Sequence, residues 1–234
     1  MNTYFIIPHG KEITQDILVP EEHLNEAKPG DIVVAEFINR YDFAEEPKAQ
    51  IKEVLGQENT SGIEIEAAVR AFGLPYAWPE DLQTSLKDLS EKLNDSDLRK
   101  RKDLRGLNLI TIDGEDAKDF DDAIFAERRG EHWHLIVAIA DVSHYVEANS
   151  ALDMEAVLRG NSVYFPGKVL PMLPEILSNN LCSLKPNVDR LCMVCDMQIT
   201  DQGELKNYQF YEGVMNSKAR LTYTKAASIL KNQN

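Results

Sequence analysis

Residues 111–125 read Thr-Ile-Asp-Gly-Glu-Asp-Ala-Lys-Asp-Phe-Asp-Asp-Ala-Ile-Phe, which sets four aspartates, Asp113, Asp119, Asp121 and Asp122, beside Glu115 and Asp116. Carboxylates this dense repel one another. Each raises its neighbour's pKa and opposes folding. A chain that gathers them needs a neutraliser, and the commonest is a divalent cation. Hard cations such as Mg²⁺ take oxygen ligands and keep positions open for phosphate oxygens. The stretch therefore points to a metal site for phosphoryl chemistry.

Its flanks bear on that reading. Leu107-Asn-Leu-Ile-Thr-Ile112 reads as a strand rich in β-branched residues, with Asp113 at its C-terminal end and Gly114 free to turn. Ala123-Ile-Phe-Ala126 reads as a second strand. In an extended chain Asp119 and Asp121 share one face and Asp122 takes the other, so convergence requires a turn. Acidic runs are also commonly solvated loops. A calcium-binding EF-hand loop wants glycine at its sixth position; counted from Asp119 that residue is Ile124, which excludes it. Spacing alone leaves the solvated loop and the metal site both open.

Upstream, residues 1–58 read as a small β unit. Tyr4–Ile7, Asp16–Val19, Ile32–Ile38 and Ala49–Leu55 are short strands punctuated by Gly10, Pro20, Pro29-Gly30 and Gly56. This spacing suits a compact barrel of the OB or cold-shock kind, which stacks bases on aromatics. Tyr4, Phe5, Phe37, Tyr41 and Phe43 are available, although Phe37 is in phase with Val33 and Ala35 and reads as core. Residues 62–72 and 79–102 read as helices, the second opened by Pro79 and striped by Leu82, Leu86, Leu89 and Leu93.

Beyond them, His134–Ala140 reads as a central apolar strand. Ser150 with Asp153 caps a helix that Gly160 can close. Leu191–Ile199 and Leu205–Tyr211 form a hairpin across Asp201-Gln-Gly203. Cys192 and Cys195 spell CxxC within a strand pattern, where residues three apart face opposite sides, so zinc is not expected. His132 and His134 share a strand face without a third ligand and read as surface residues. By spacing, Tyr164 reads as a core aromatic before a proline turn.

At 234 residues the chain holds one large or two small domains. No stretch approaches the length of an apolar membrane span, and the N-terminus lacks the pattern of a secretory signal. Three cysteines, an odd number, suit a reducing cytoplasm. A formal net charge of −14 opposes phosphate binding, yet the metal-site acids count toward it. Basic residues also cluster, in Arg99–Lys102 with Arg105 and in Lys218, Arg220 and Lys225. For the first group, a helix C-terminus is the alternative explanation.

Six blocks stand in a fixed order: Thr111–Ala123, Val137–Ser143, Ser162–Pro166, Pro171–Glu175, Leu181–Leu184 and Ala219–Thr224. Together they resemble the RNB catalytic domain of the RNase II/RNase R exoribonucleases, more closely the bacterial RNase R branch. The resemblance implies an α+β chain: an OB/cold-shock-like β-barrel over 1–58, a helical linker over 59–106, and the first part of a mixed α/β RNB domain over 107–234. It implies processive 3′-to-5′ hydrolysis of single-stranded RNA to nucleoside 5′-monophosphates with Mg²⁺. Asp113 and Asp122 would be the direct metal ligands, Asp121 the aspartate most tied to catalysis, and Asp119 its support. Tyr164 would pack against the terminal nucleotides.

The family's RNB domain is longer, and its second half supplies an arginine at the scissile phosphate. The chain thus reads as a fragment whose isolated form is expected to be inactive. RNA is the expected partner, with neither membrane nor small-molecule cofactor. A non-catalytic RNA-binding module is the alternative. An acidic metal-buffering protein would explain none of the downstream blocks.

Overall fold

The computed structural model describes residues 3–9, 13–38, 46–87 and 89–232. The chain forms two compact units, Met1–Ala77 and Trp78–Asn234. The division falls within the stretch 59–106 read as a linker.

In the first unit, β1 (Tyr4–Ile6) pairs antiparallel with β2 (Ile17–Val19), and β3 (Asp31–Phe37) with β4 (Ala49–Gln57). A bridge between Leu18 and Lys48 joins the two pairs. Two register shifts in the β3–β4 ladder mark bulges, which bend and twist a ribbon. Helix α1 (Ile63–Ala71) buries Ile63 and Val69. Its Arg70 reaches back to Glu53 through hydrogen bonds of 2.6 and 3.0 Å. Phe37 is half-buried and Phe5 is exposed. Tyr41 and Phe43 lie outside the described residues.

The second unit opens with a departure from expectation. Residues 79–102 are not one helix but two, α2 (Glu80–Leu86) and α3 (Asp95–Arg99). Short polar side chains cause the break: Ser90 Oγ accepts from Lys92 N at 3.1 Å, and the Asp97 carboxylate accepts from Asn94 N at 2.9 Å. Such bonds compete with helical ones. Leu82 is nevertheless buried, as the leucine stripe requires.

Strands β5 (Lys102–Asp103), β6 (Ile110–Asp113), β7 (Asp122–Arg129) and β8 (His132–Ala140) precede helix α4 (Ala151–Arg159). A separate ribbon follows, of β9 (Val163–Phe165) and β10 (Lys168–Leu170). Then come β11 (Asp189–Thr200), β12 (Leu205–Asn216), β13 (Ala219–Thr222) and helix α5 (Tyr223–Lys231). Seven strands make one sheet in the order β13-β6-β7-β8-β11-β12-β5, with β8 at its centre. The outermost pairings, β13 with β6 and β5 with β12, are parallel; the others are antiparallel. One face is core: Ala123, Ile136, Ala138, Ala140, Cys192 and Val194 are buried there with Leu109, Leu152, Leu177, Leu181, Leu184 and Met215. Each such leucine contributes about 1.5–3 kcal/mol by leaving water. Helix α4 begins at Ser150, whose Oγ accepts from Asp153 N, and ends at Gly160 with φ of 73°.

His134 departs from its reading as a surface residue. It lies in phase with Ile136 and Ala138 and is 9% exposed. Burial demands a partner, and the neighbouring strand supplies one: His134 Nε2 lies 2.7 Å from Asp196 Oδ1. Asp196 also accepts from the Tyr211 hydroxyl at 2.9 Å.

Candidate metal centre

Strand β6 delivers Asp113 at its end, and β7 begins with Asp122. The residues between follow no regular structure, and distant parts of the unit fix their path. Ala140 N donates to Asp121 O at 2.8 Å, and Leu184 N to Phe120 O at 2.8 Å. The buried Ser183 hydroxyl accepts from Phe120 N at 3.1 Å and donates to Lys118 O at 2.8 Å. Phe120 inserts into the core. On the other side, Arg220 Nη2 donates to Gly114 O at 2.7 Å and Glu115 O at 2.6 Å. The required turn is thus imposed by tertiary bonds, and it gathers Asp113, Asp119, Asp121 and Asp122 closely enough to feel one another's charge.

The carboxyl of Asp113 is pushed up, first by burial and then by the charge of Asp122, with a smaller push from Asp119. Thr111 and Arg220 oppose that rise. The Thr111 hydroxyl lies beside Asp113 without closing a well-formed hydrogen bond, and Asp113 Oδ2 is buried with no hydrogen-bond partner. Asp121 is likewise pushed up, by burial and then by Asp119, Asp122 and Asp113. The Glu115 carboxylate is held below its ordinary value chiefly by the Thr224 hydroxyl.

This is concentrated negative charge that the nearby Arg220 offsets only in part. Among the described residues no three His, Cys, Asp or Glu side chains already stand in a ligating arrangement. The donor set nonetheless fits a Mg²⁺-like ion, which binds through one or two carboxylates and keeps several waters. Asp113, with its unpartnered buried oxygen, and Asp122 beside it are the residues that would hold it.

Tyr164 is not part of the carboxylate group. It stands on the β9–β10 ribbon opposite Val169 and is 69% exposed, so it is not a core aromatic. The ribbon is anchored at its base: Met172 N donates to Ser162 Oγ at 2.9 Å, and Arg159 Nη1 to Pro171 O at 3.1 Å. An exposed ring on a fixed ribbon can stack on a planar ligand. Two hollows lie elsewhere in the second unit. One, of about 490 Å³, is lined by Leu86, Leu93, Asp97, His144 and Leu152; the other, of about 390 Å³, by Lys102, Arg129, His134 and Asp196. At the acidic site Asp121 and Asp122 are exposed, and Asp113 and Asp119 are half-buried.

The model of the RNB domain matches residues 101–234, and that of a cold shock domain residues 5–79. The chain belongs to the RNB family. Ribonuclease R of Vibrio parahaemolyticus is 51% identical over 228 residues, covering 97% of this chain and 27% of that protein. Ribonuclease R of Escherichia coli is 48% identical, over 97% of this chain and 28% of that one. The chain thus spans little more than a quarter of the length of these relatives. Among solved structures, Mycoplasma genitalium RNase R in complex with double-stranded RNA matches with a TM-score of 0.86 and 31% identity, over 93% of this chain and 39% of that one. Yeast Ssd1, described as a pseudonuclease, shares the fold with a TM-score of 0.74 at 17% identity, over 98% of this chain and 30% of that one. The α+β organisation, a cold-shock unit followed by RNB sequence with a mixed sheet, is therefore the family's.

Sequence reasoning missed three supporting groups. Ser183 anchors the loop from 63 residues away. Arg220, read as one of a cluster of basic residues, binds backbone carbonyls instead. Arg101, read as part of a basic cluster, is buried against Asp141 at 2.5 Å, while Arg105 pairs with Asp103 and Asp189. Position within the family block Ala219–Thr224 was the one available signal for Arg220.

Proposed function

We propose that this chain carries the reactive carboxylates of a processive, hydrolytic 3′-to-5′ exoribonuclease that degrades single-stranded RNA to nucleoside 5′-monophosphates with Mg²⁺. The observation behind it is the gathering of Asp113, Asp119, Asp121 and Asp122 on one anchored loop, with Asp113 and Asp121 held above their ordinary pKa values. Asp113 and Asp122 would hold the cation. When bound there, Mg²⁺ supplies positive charge against the phosphate and lowers the pKa of water. Asp121 would accept a proton from the attacking water, a role that a raised carboxyl pKa suits. Asp119, which raises Asp121, would support it. Tyr164 would stack on a terminal base.

The activity is proposed for the whole polypeptide; residues 1–234 alone are expected to bind metal without processive turnover. A cytoplasmic setting belongs to the same proposal: among the described residues no helix is long and apolar enough to cross a membrane. The second reading, a non-catalytic RNA-binding module, is favoured by the pseudonuclease that shares this fold, because a fold does not carry an activity. Manganese titration of the chain followed by electron paramagnetic resonance separates the two. The nuclease reading expects one site that is lost in the double variant Asp113→Asn, Asp122→Asn. Absence of binding, or binding unchanged in that variant, rejects these ligands.

A further inference from the structure

We propose that Arg220 is a positioning residue for the acidic site, clamping the backbone turn that joins Asp113 to the other three aspartates. This rests on the reading of those aspartates as the reactive group. Strand β13 runs parallel beside β6, with Arg220 in register with Thr111 and Thr222 with Asp113. From there the Arg220 side chain crosses to the turn beyond Asp113, and one nitrogen, Nη2, donates to two successive carbonyls, Gly114 O and Glu115 O. Gly114 O also accepts from Ala117 N at 3.3 Å, so the guanidinium and the local turn share an acceptor.

The same segment holds the turn and β6 at further points. The Thr222 and Thr224 hydroxyls engage the Glu115 carboxylate, and Lys218 N donates to Leu109 O at 2.8 Å at the other end of β6. The guanidinium is turned inward: its carbon lies 5.1 Å from the centre of the Phe120 ring, and Nε is buried with no hydrogen-bond partner. A side chain serving chiefly as a phosphate contact would present its nitrogens to solvent. This one commits Nη2 to the backbone that joins Asp113 to Asp119 and Asp121. A lysine carries the charge but not the planar array of donors, so it can replace the clamp only in part.

The test compares wild type, Arg220→Lys and Arg220→Gln by amide hydrogen exchange on the 234-residue chain. Kinetics are measured on residues 1–234 grafted into the Vibrio parahaemolyticus relative. In Arg220→Gln the amides from Glu115 to Asp119, Ala117 above all, should exchange at least about tenfold faster, while β8 and β11 stay protected. The graft should lose kcat by about tenfold or more with KM for RNA unchanged, and Arg220→Lys should recover part of both. Unchanged exchange overturns the clamp. Faster exchange with unchanged kcat overturns the positioning role, and a raised KM with unchanged kcat replaces it with an RNA contact. An inactive wild-type graft would count against the nuclease reading, while exchange alone would still decide the clamp.

Discussion

Arg101 Nη2 lies 2.5 Å from Asp141 Oδ2, with both side chains buried and forty positions apart in the chain. Asp141 follows Ala140, whose amide holds the backbone of Asp121. The pair therefore buttresses the sheet end that carries the acidic loop. Burial pushes the Asp141 carboxyl up, but hydrogen bonds from Ser143 and Arg101 outweigh it and hold the group below its ordinary value.

Removing one partner leaves an uncompensated buried charge, so Arg101→Met should cost about 3–5 kcal/mol in urea denaturation. The folded pKa of Asp141 is depressed. Its stabilisation is complete above the unfolded value, about 3.9, and is lost as pH falls through the lower folded value. The wild-type advantage over Asp141→Asn should accordingly shrink below about pH 4. An advantage that grows on acidification would contradict this.

The acidic loop carries the opposite sign. Asp113 and Asp121 are raised in the fold, so their ionised forms cost stability. That cost sets in as pH rises from the ordinary aspartate range, about 4, toward the raised values, and it persists at neutral pH. Asp121 keeps much of its surface in solvent although protein crowds its carboxyl, so solvent screening keeps the effect to about 1 kcal/mol or less. In chelator at pH 7, Asp121→Asn should raise Tm by up to about 2–4 °C. The gain should vanish near pH 3. Added Mg²⁺ should stabilise wild type by mass action but not the Asp113→Asn, Asp122→Asn variant. Calorimetry with and without Mg²⁺ checks both effects.

Tyr164 is exposed on its ribbon, so Tyr164→Ala should leave stability within about 0.5 kcal/mol. Loss of one stacked base costs about 1–3 kcal/mol, so affinity for single-stranded RNA should fall roughly tenfold or more. Tyr164→Phe should bind as wild type does. Fluorescence anisotropy with a labelled oligonucleotide reads this, and an affinity unchanged in Tyr164→Ala would remove Tyr164 from the RNA path.

What could be read from sequence was whatever leaves a local period or cap. The apolar run ending at Ala140 marked the central strand, Ser150 marked the start of α4, and three-residue spacing set Cys192 and Cys195 on opposite faces. Asp113 at the end of a strand was equally legible. Long-range contacts were not. His134 looked like a surface residue because its partner, Asp196, lies 62 positions away. The grip of Arg220 on Gly114 spans 106 positions and carries no periodic signature. The leucine stripe over 82–93 suggested a continuous helix because periodicity does not register the turn made by Ser90 and Asn94.

Residues 1–234 grafted into the Vibrio parahaemolyticus relative, with and without Asp121→Asn, test the role of the acidic loop most directly. The substrates are 5′-labelled and 3′-labelled single-stranded RNA with Mg²⁺. Asp121→Asn changes charge but hardly shape, so its effect should fall on turnover. The expected result is release of nucleoside 5′-monophosphate from the 3′ end by the unmutated graft, no release by Asp121→Asn, and equal RNA affinity for the two. Unchanged monophosphate release by Asp121→Asn would contradict the assignment of this loop as the reactive site.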